Sequence, residues 1–552
     1  MAAETTQPTQ SMASQVPYVP RSKGPRLDTL TPRNMASAVQ NALDDLEGRV
    51  GDVDDFVARK LNYPSVDAMH EVLAAEQVDG VALSIDNVER GNGSLIGDQT
   101  GVGKGRQLAA MIRYARETDR TPIFVTRDAG LYADMIRDLD DIGTQDFTPF
   151  ITNSQEKVPL PDGRTLETKR GQHSAELDRL IQQGGFSSTD DYDGVFTTYS
   201  QMQTVKGRNT PRRQFLSMMA PQSLILFDEA HEAGGSPEAE NAWKKAGPPN
   251  RADFARHLVD HADGVTFSSA TAIKRPDVMD LYGRRSGMRQ AAGSISDLQA
   301  ALEMGGTPLQ QVSTNMLAQD GFYNRRERNY EGVDFGIQNV PVDRESTDGL
   351  SRIMGKILEF DRSKQAALKD LDRQLKASAK KLGTDTSVGQ AGADSTNFTA
   401  VMHNVMDQSL LSRKAGQMAD EAIASLERGE KPILTVSNTM GSFIEHYADE
   451  NDIAPGDDFD ATFGDIMRRY LERSRDVLEK DYDGTQTRRR LSDSELGPEA
   501  VQHYQEAQKL IDSTDLDFPV SPIDTIKQRI EEAGYRFGEI TGRKARLEYD
   551  SE

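Results

Sequence analysis

Ten residues carry the densest chemical signal in the chain: Gly97-Asp98-Gln99-Thr100-Gly101-Val102-Gly103-Lys104-Gly105-Arg106. Glycines at this spacing let successive backbone N–H groups turn toward one anion. A helix N-terminus behind them favours negative charge, and the lysine reaches β/γ-phosphate oxygens. The flanks agree. Ser94-Leu95-Ile96 reads as a short strand, and Leu108, Met111, Ile112 and Ala115 recur at the i, i+3, i+4, i+7 spacing of an amphipathic helix. The expected phosphate contacts are Asp98, Thr100, Gly101, Val102, Gly103, Lys104, Gly105 and Arg106. Two positions depart from G-x-x-x-x-G-K-[ST]: Asp98 stands at the first glycine, and Gly105 stands where a Ser or Thr hydroxyl normally meets Mg²⁺. Taken alone, the stretch also reads as a glycine-rich turn.

A second signal lies 124 residues beyond Lys104, at Asp228. Ser223-Leu224-Ile225-Leu226-Phe227 is a continuous apolar run, the pattern of a strand covered on both faces of a parallel sheet. Asp228-Glu229-Ala230-His231 follows at its C-terminal end, where parallel sheets bind ligands. Asp228 there can hold Mg²⁺ through water, and Glu229 can orient or deprotonate an attacking water. A third run, Gly264-Val265-Thr266-Phe267-Ser268, ends in Ser269-Ala270-Thr271, whose hydroxyls can bond the acidic group.

Lys104, Asp228-Glu229-Ala230-His231 and Ser269-Ala270-Thr271, in that order, resemble superfamily 2 helicases and translocases. The loop GDQTGVGKGR, the lead-in Tyr18-Val19-Pro20 with Leu27-Asp28-Thr29-Leu30-Thr31-Pro32-Arg33-Asn34-Met35, and Phe537-Gly538-Glu539-Ile540-Thr541-Gly542-Arg543 narrow the resemblance to the strawberry-notch family. Within it the pattern is most similar to the bacterial and phage branch, which includes antirestriction proteins packaged in phage heads. The resemblance runs from about Val16 to Arg543, and the family shares the glycine at position 105. It implies ATP and Mg²⁺ as ligands, with Lys104, Asp228, Glu229 and His231 catalytic and Ser269, Ala270 and Thr271 coupling hydrolysis to movement. It implies double-stranded DNA as partner and a setting in the cytosol of a prokaryotic host or in a virion. Gln77, about 27 residues before Lys104, either reads the adenine edge or is an exposed helix glutamine.

The chain has 552 residues, 36% hydrophobic content and no cysteine. That length has room for two or three domains. The missing cysteines exclude disulfides and Cys-based zinc sites and agree with a reducing cytosol. No apolar run is long enough to span a membrane. His257 and His261 lack the Glu and third ligand of a zinc helix. The net charge of −23 is unusual for a nucleic-acid binder, which needs a basic face. Either the acid covers the outer surface around a basic channel built from Arg113, Arg116, Arg127, Arg137, Arg325, Arg326 and Arg328, or the charge serves solubility in high salt. Thr126-Arg127-Asp128 and Thr197-Thr198-Tyr199-Ser200-Gln201 follow two expected strands and suit phosphate contacts.

These readings assemble into an α/β protein, a P-loop NTPase with RecA-like parallel-sheet lobes and helical insertions, the second lobe incomplete. Residues 1–15 read as a disordered leader and 16–90 as an extended and helical segment. Residues 91–290 form the first lobe, with strands at 94–96, 122–126, 195–199, 223–227 and 264–268 and a surface insertion at 153–191. Residues 291–400 connect the lobes, with a long charged helix at 353–381 and a flexible loop at 381–400. Residues 401–552 form part of a second lobe, with strands at 431–436 and 534–540 around an acidic helical insertion. No Arg-rich motif closes that lobe. Three explanations stand: the chain continues in a longer protein, a second polypeptide completes it, or the chain binds ATP with little turnover.

Overall fold

A computed structural model describes residues 14–160, 163–205, 208–234, 250–272, 276–288, 295–341, 344–381, 392–395, 398–437, 439, 441–450, 453–459, 461–480, 486–516, 519–543 and 546–548. The chain divides into two compact units, Met1–Phe335 and Gly336–Glu552.

In the first unit, β1 (Gln15–Pro17) and β2 (Leu30–Pro32) form an antiparallel pair. The leader expected through residue 15 lies outside the described residues up to 13, and Gln15 already belongs to β1. The central strands are β3 (Gly93–Ile96), β4 (Thr121–Thr126), β5 (Pro149–Ile151), β8 (Gly194–Thr198), β9 (Ser223–Phe227), β10 (Gly264–Ser268) and β11 (Tyr323–Asn324), with a small hairpin β6 (Lys157–Pro159) and β7 (Thr165–Glu167) beside them. The seven-stranded sheet has the order β11-β3-β10-β9-β4-β8-β5, every pair parallel. Parallel neighbours require crossovers, and helices supply most of them. The five strands expected from the sequence are present within a residue or two. The hairpin and the helix Arg170–Gln183 make up the stretch read as an insertion.

Two strands escape the pattern. Pro149–Ile151 and Tyr323–Asn324 are too short to announce themselves, and both take their place only because a neighbour offers an edge. The second matters most. Tyr323–Asn324 pairs with β3 in a stretch read as connecting the lobes, so the compact unit extends past 290 to Phe335.

β9 is fully buried from Ser223 to Phe227 and flanked on both sides, which explains its unbroken apolar run. The helix Lys104–Glu117 lays Leu108, Met111, Ile112 and Ala115 into the core. Burying each of the three larger side chains contributes roughly 1.5–3 kcal/mol. The helix Ala75–Glu89 is buried almost all round, so its polar groups all need partners. Glu76 accepts from the Leu27 and Thr29 N–H groups. Asp79 accepts from Tyr18 Oη and from the Arg21 and Ser22 N–H groups, each at 2.9 Å. Burial still pushes the Asp79 carboxyl up to about 6 against those donors. Residues 18–32 are thereby strapped across this helix, and Leu30 and Glu327 exchange two backbone hydrogen bonds, 2.8 and 2.7 Å long.

The second unit contains the helices Arg344–Lys381, Phe398–Glu427, Gly441–Glu450, Phe463–Arg473, Asp493–Ser513 and Pro522–Glu532. Its sheet is antiparallel: β12 (Gly392–Ser395), β13 (Asp476–Lys480) and β14 (Gln486–Arg490), in that order. The loop expected at 381–400 lies largely outside the described residues. The strands expected at 431–436 and 534–540 do not form. Both stretches run without a ladder partner among the described residues. The first keeps strand-like alternation, and the second keeps it only over 534–538. Leu434, Tyr535 and Phe537 pack on Ala415, Ala419, Ala422, Ile526 and Ile530, while Ile433 and Ile540 are fully exposed. An apolar pattern sets which side chains face in, but a strand also needs a hydrogen-bonded neighbour. Among the described residues no helix is long and apolar enough to cross a membrane.

Candidate functional site

The loop after β3 is held open by its neighbours rather than by itself. The chain beyond β11 runs alongside it: Gly97 N donates to Asn324 O at 2.7 Å and Gln99 N to Arg326 O at 2.8 Å. Gly101 and Gly103 take φ of +91° and +94°, the left-handed region that glycine enters without cost. Lys104 opens the helix and turns its Nζ back to the Asp98 carbonyl, 3.0 Å away.

Residues from several elements face one cavity of 520 Å³ at the C-terminal ends of the strands. Gln77, Thr100, Gly101, Val102, Gly103, Lys104, Gly105, Arg106, Asp228 and Glu229, all expected from the sequence, line it. Leu27, Phe124, Asp138 and Arg328 join them without having been expected as ligand contacts. Arg328 holds the loop apex, with Nε 2.9 Å and Nη2 2.6 Å from the Gly101 carbonyl. The spacing of Arg326 and Arg328 on an extended segment puts both on one side. That was readable in the sequence, but the proximity of the segment to the loop was not.

Asp98 does not face the cavity. It lies beneath the loop, fully buried, and its carboxylate accepts from Arg326 N at 2.9 Å, Arg326 Nε at 3.0 Å, Arg326 Nη2 at 2.6 Å and Gln107 Nε2 at 2.9 Å. The residue expected to touch phosphate is instead the anchor that fixes the loop to the 323–328 segment. Its negative charge is spent on an equally buried guanidinium.

Gln77 is neither exposed nor free. Its Oε1 accepts from Ala74 N at 3.0 Å and its Nε2 donates to Val102 O at 3.0 Å. A Cβ on Gly103 would overlap that Nε2, with Cδ 3.2 Å away. Gly103→Ala therefore combines a left-handed backbone with a clash and should lower the unfolding free energy by about 2 kcal/mol or more. Thermal unfolding of the variant checks this, and an unchanged midpoint would mean the loop relaxes freely.

Asp228 follows β9, with its N–H donating to Val125 O at 2.8 Å and its Oδ2 accepting from Thr126 Oγ1 at 3.2 Å. Burial, then the neighbouring Glu229 carboxylate, raises the Asp228 carboxyl. Glu229 has φ of +46°, an uncommon backbone for a side chain of its size, at the rim of the cavity. His231, Ser269 and Thr271 lie away from the cavity wall and contact each other: His231 Nδ1 is 2.8 Å from Ser269 Oγ, 3.4 Å from Thr271 Oγ1 and 3.3 Å from Glu229 Oε2. Ala270 has no side-chain group to add.

The basic channel does not assemble from the seven arginines. Arg326 is buried on Asp98. Arg113 donates to the Leu61, Asn62 and Ile142 carbonyls and lies over Tyr63. Arg116 pairs with Asp193, Arg137 with Asp134 and Asp138, and Arg325 with Glu327. Arg127 is exposed. Of the expected backbone-contacting segments, Thr126, Thr197, Thr198 and Tyr199 are buried. Tyr199 Oη donates to the Asp228 carbonyl, 2.7 Å away.

Comparison with known proteins agrees with this geometry. Residues 56–349 match the family described as P-loop containing NTP hydrolase pore-1, over half of the chain. The chain belongs to that family. Members of the strawberry-notch group are its relatives: FORGETTER 1 of Arabidopsis thaliana is 30% identical over 49% of this chain and 19% of its own length. Protein strawberry notch of Drosophila melanogaster is 26% identical over 46% of this chain and 14% of its own. Strawberry notch homolog 1 of Homo sapiens is 26% identical over 52% and 20%. The chain thus spans about a fifth or less of the length of these relatives. Among solved structures, the SWI2/SNF2 ATPase core of Sulfolobus solfataricus in complex with dsDNA aligns over 62% of this chain and 64% of that one, at 13% identity and a TM-score of 0.30. The RecA-like P-loop NTPase fold rests on the parallel sheet and the family match. That family membership implies nucleotide binding.

Proposed function

We propose that this chain is an ATP-hydrolysing, helicase-like enzyme whose first unit binds ATP·Mg²⁺ in the cavity beneath Gly101–Arg106 and acts on double-stranded DNA. One observation carries the reading: Lys104 and the Asp228-Glu229 pair line the same cavity, brought there by the ends of β3 and β9, which flank β10. Mg²⁺, when bound, draws charge from the phosphate oxygens. Lys104 exchanges its loop carbonyl for the β/γ-phosphates. Asp228 would hold the metal, and Glu229 would accept a proton from, or orient, the attacking water. The contacts from Glu229 to His231 and on to Ser269 and Thr271 give a short polar relay by which loss of the γ-phosphate can be felt beyond the cavity. Gln77 supports the loop from below in this reading.

DNA as the partner rests on the strawberry-notch resemblance, with phage or mobile-element DNA protection as its setting. In the second unit, 431–437 alternate like a strand, and 534–538 do so over a shorter run, with no ladder partner among the described residues. That supports an incomplete second lobe, finished by further chain or by another polypeptide. The same observation, with the arginines largely neutralised, favours a second reading: a nucleotide-binding module that turns over slowly by itself.

Hydrolysis of ATP by this chain, measured with and without double-stranded DNA at low and high salt, separates the two. DNA-stimulated turnover is the expected result. Tight ATP binding with neither turnover nor stimulation would overturn the motor reading in favour of the module.

A further inference from the structure

The loop lacks the hydroxyl that phosphate loops of this pattern give to Mg²⁺, because Gly105 stands in its place. The space for that side chain is filled by another residue. A Cβ on Gly105 would overlap Asp138 Oδ2, with Asp138 Cγ 3.1 Å away. Asp138 belongs to the helix Leu131–Asp141, and its carboxylate lines the cavity that Lys104, Asp228 and Glu229 also line. Arg137 Nη2 approaches the other oxygen, Oδ1, at 3.4 Å; among the described residues that is the carboxylate's one hydrogen bond, so Oδ2 faces the loop unclaimed. The side chain is 15% exposed.

We propose that Asp138 Oδ2 supplies, from the neighbouring helix, the protein oxygen for Mg²⁺ that a Ser or Thr supplies from within the loop elsewhere. The chemistry is apt. Mg²⁺ takes hard oxygen ligands and is usually bound by one or two carboxylates together with substrate phosphates. A carboxylate in place of a hydroxyl adds a negative charge to the cavity that Asp228 also lines, which a dication neutralises. Burial lifts the Asp138 carboxyl, with Arg137 opposing, and a bound dication would bring it down. The glycine at 105 then follows from the arrangement, since any side chain there would displace the carboxylate.

The proposal rests on the nucleotide reading of the cavity, and its test separates the two. Binding of a fluorescent ATP analogue would be titrated against Mg²⁺ for the wild type, Asp138→Ala, the isosteric Asp138→Asn, Lys104→Ala and the double variant Asp138→Ala with Gly105→Ser. Mn²⁺ binding would be followed in parallel by electron paramagnetic resonance. The Mg²⁺ concentration for half-maximal effect should rise at least about tenfold in both Asp138 variants, the size of loss seen when groups around a metal are removed. Affinity in the absence of metal should not fall, because both variants remove a negative charge from the cavity wall. The double variant, with a hydroxyl restored and the space cleared, should regain most of the metal dependence. Wild-type metal dependence in folded Asp138→Asn would overturn the proposal while leaving the nucleotide site intact. Failure of the wild type to bind the analogue would overturn the nucleotide reading itself.

Discussion

Replacing Glu229 with Gln is expected to reduce ATP turnover by about two to four orders of magnitude, the range for losing a positioned general base, while ATP affinity changes little. The substitution keeps the shape of the side chain and its φ of +46° and removes only the proton acceptor. Lys104→Ala should act differently. The cavity is lined by Asp138, Asp228 and Glu229, so loss of the lysine leaves phosphate facing carboxylates with less cationic balance, and affinity should fall with turnover. Binding titrations and steady-state rates on both variants check the pair. Full turnover in either would remove that residue from its assigned role. Equal loss of affinity in both would mean Glu229 acts through the fold rather than on water.

Arg326→Met should be the most destabilising single change in the first unit, by about 3–5 kcal/mol, because it leaves the Asp98 carboxylate buried with its charge uncompensated. Both side chains are inaccessible to solvent, and four hydrogen bonds converge on the carboxylate. Removing both charges in Asp98→Ala with Arg326→Met should cost less than Arg326→Met alone. Urea unfolding followed by circular dichroism measures the difference. A double variant less stable than the single would show that the pair contributes net stability. The same ion pair fixes the loop on which Lys104 is mounted, so nucleotide affinity should fall alongside stability in Arg326→Met.

Much of the site was legible before any coordinates. Glycine spacing dictates where the backbone can turn in on an anion, and an unbroken apolar run dictates a strand covered on both faces. These two rules located Gly97–Arg106 and Asp228-Glu229, and the cavity joins them. The rules failed where identity and environment part company. Asp98 has the position of a ligand contact in the linear pattern, yet an arginine 228 residues further on claims it. Arg113, Arg116 and Arg137 look like a basic track when counted, but Arg116 and Arg137 are paired with acids and Arg113 is tied to backbone carbonyls. The apolar alternation at 431–436 was read as a strand, but alternation specifies only which side chains face inward.

The class of fold, the phosphate loop and the acidic pair can all be read from local chemistry: backbone freedom, a helix start, a buried strand with a carboxylate at its end. The rest follows from contacts between distant segments. They bring Tyr323–Arg328 to the edge of the sheet and hang the loop on Arg326. They turn Gln77 into a support and set the Asp138 carboxylate in the space that Gly105 vacates. Those outcomes depend on residues distant in the chain meeting at a few ångströms, and no local pattern encodes which distant side chain will fill a given space.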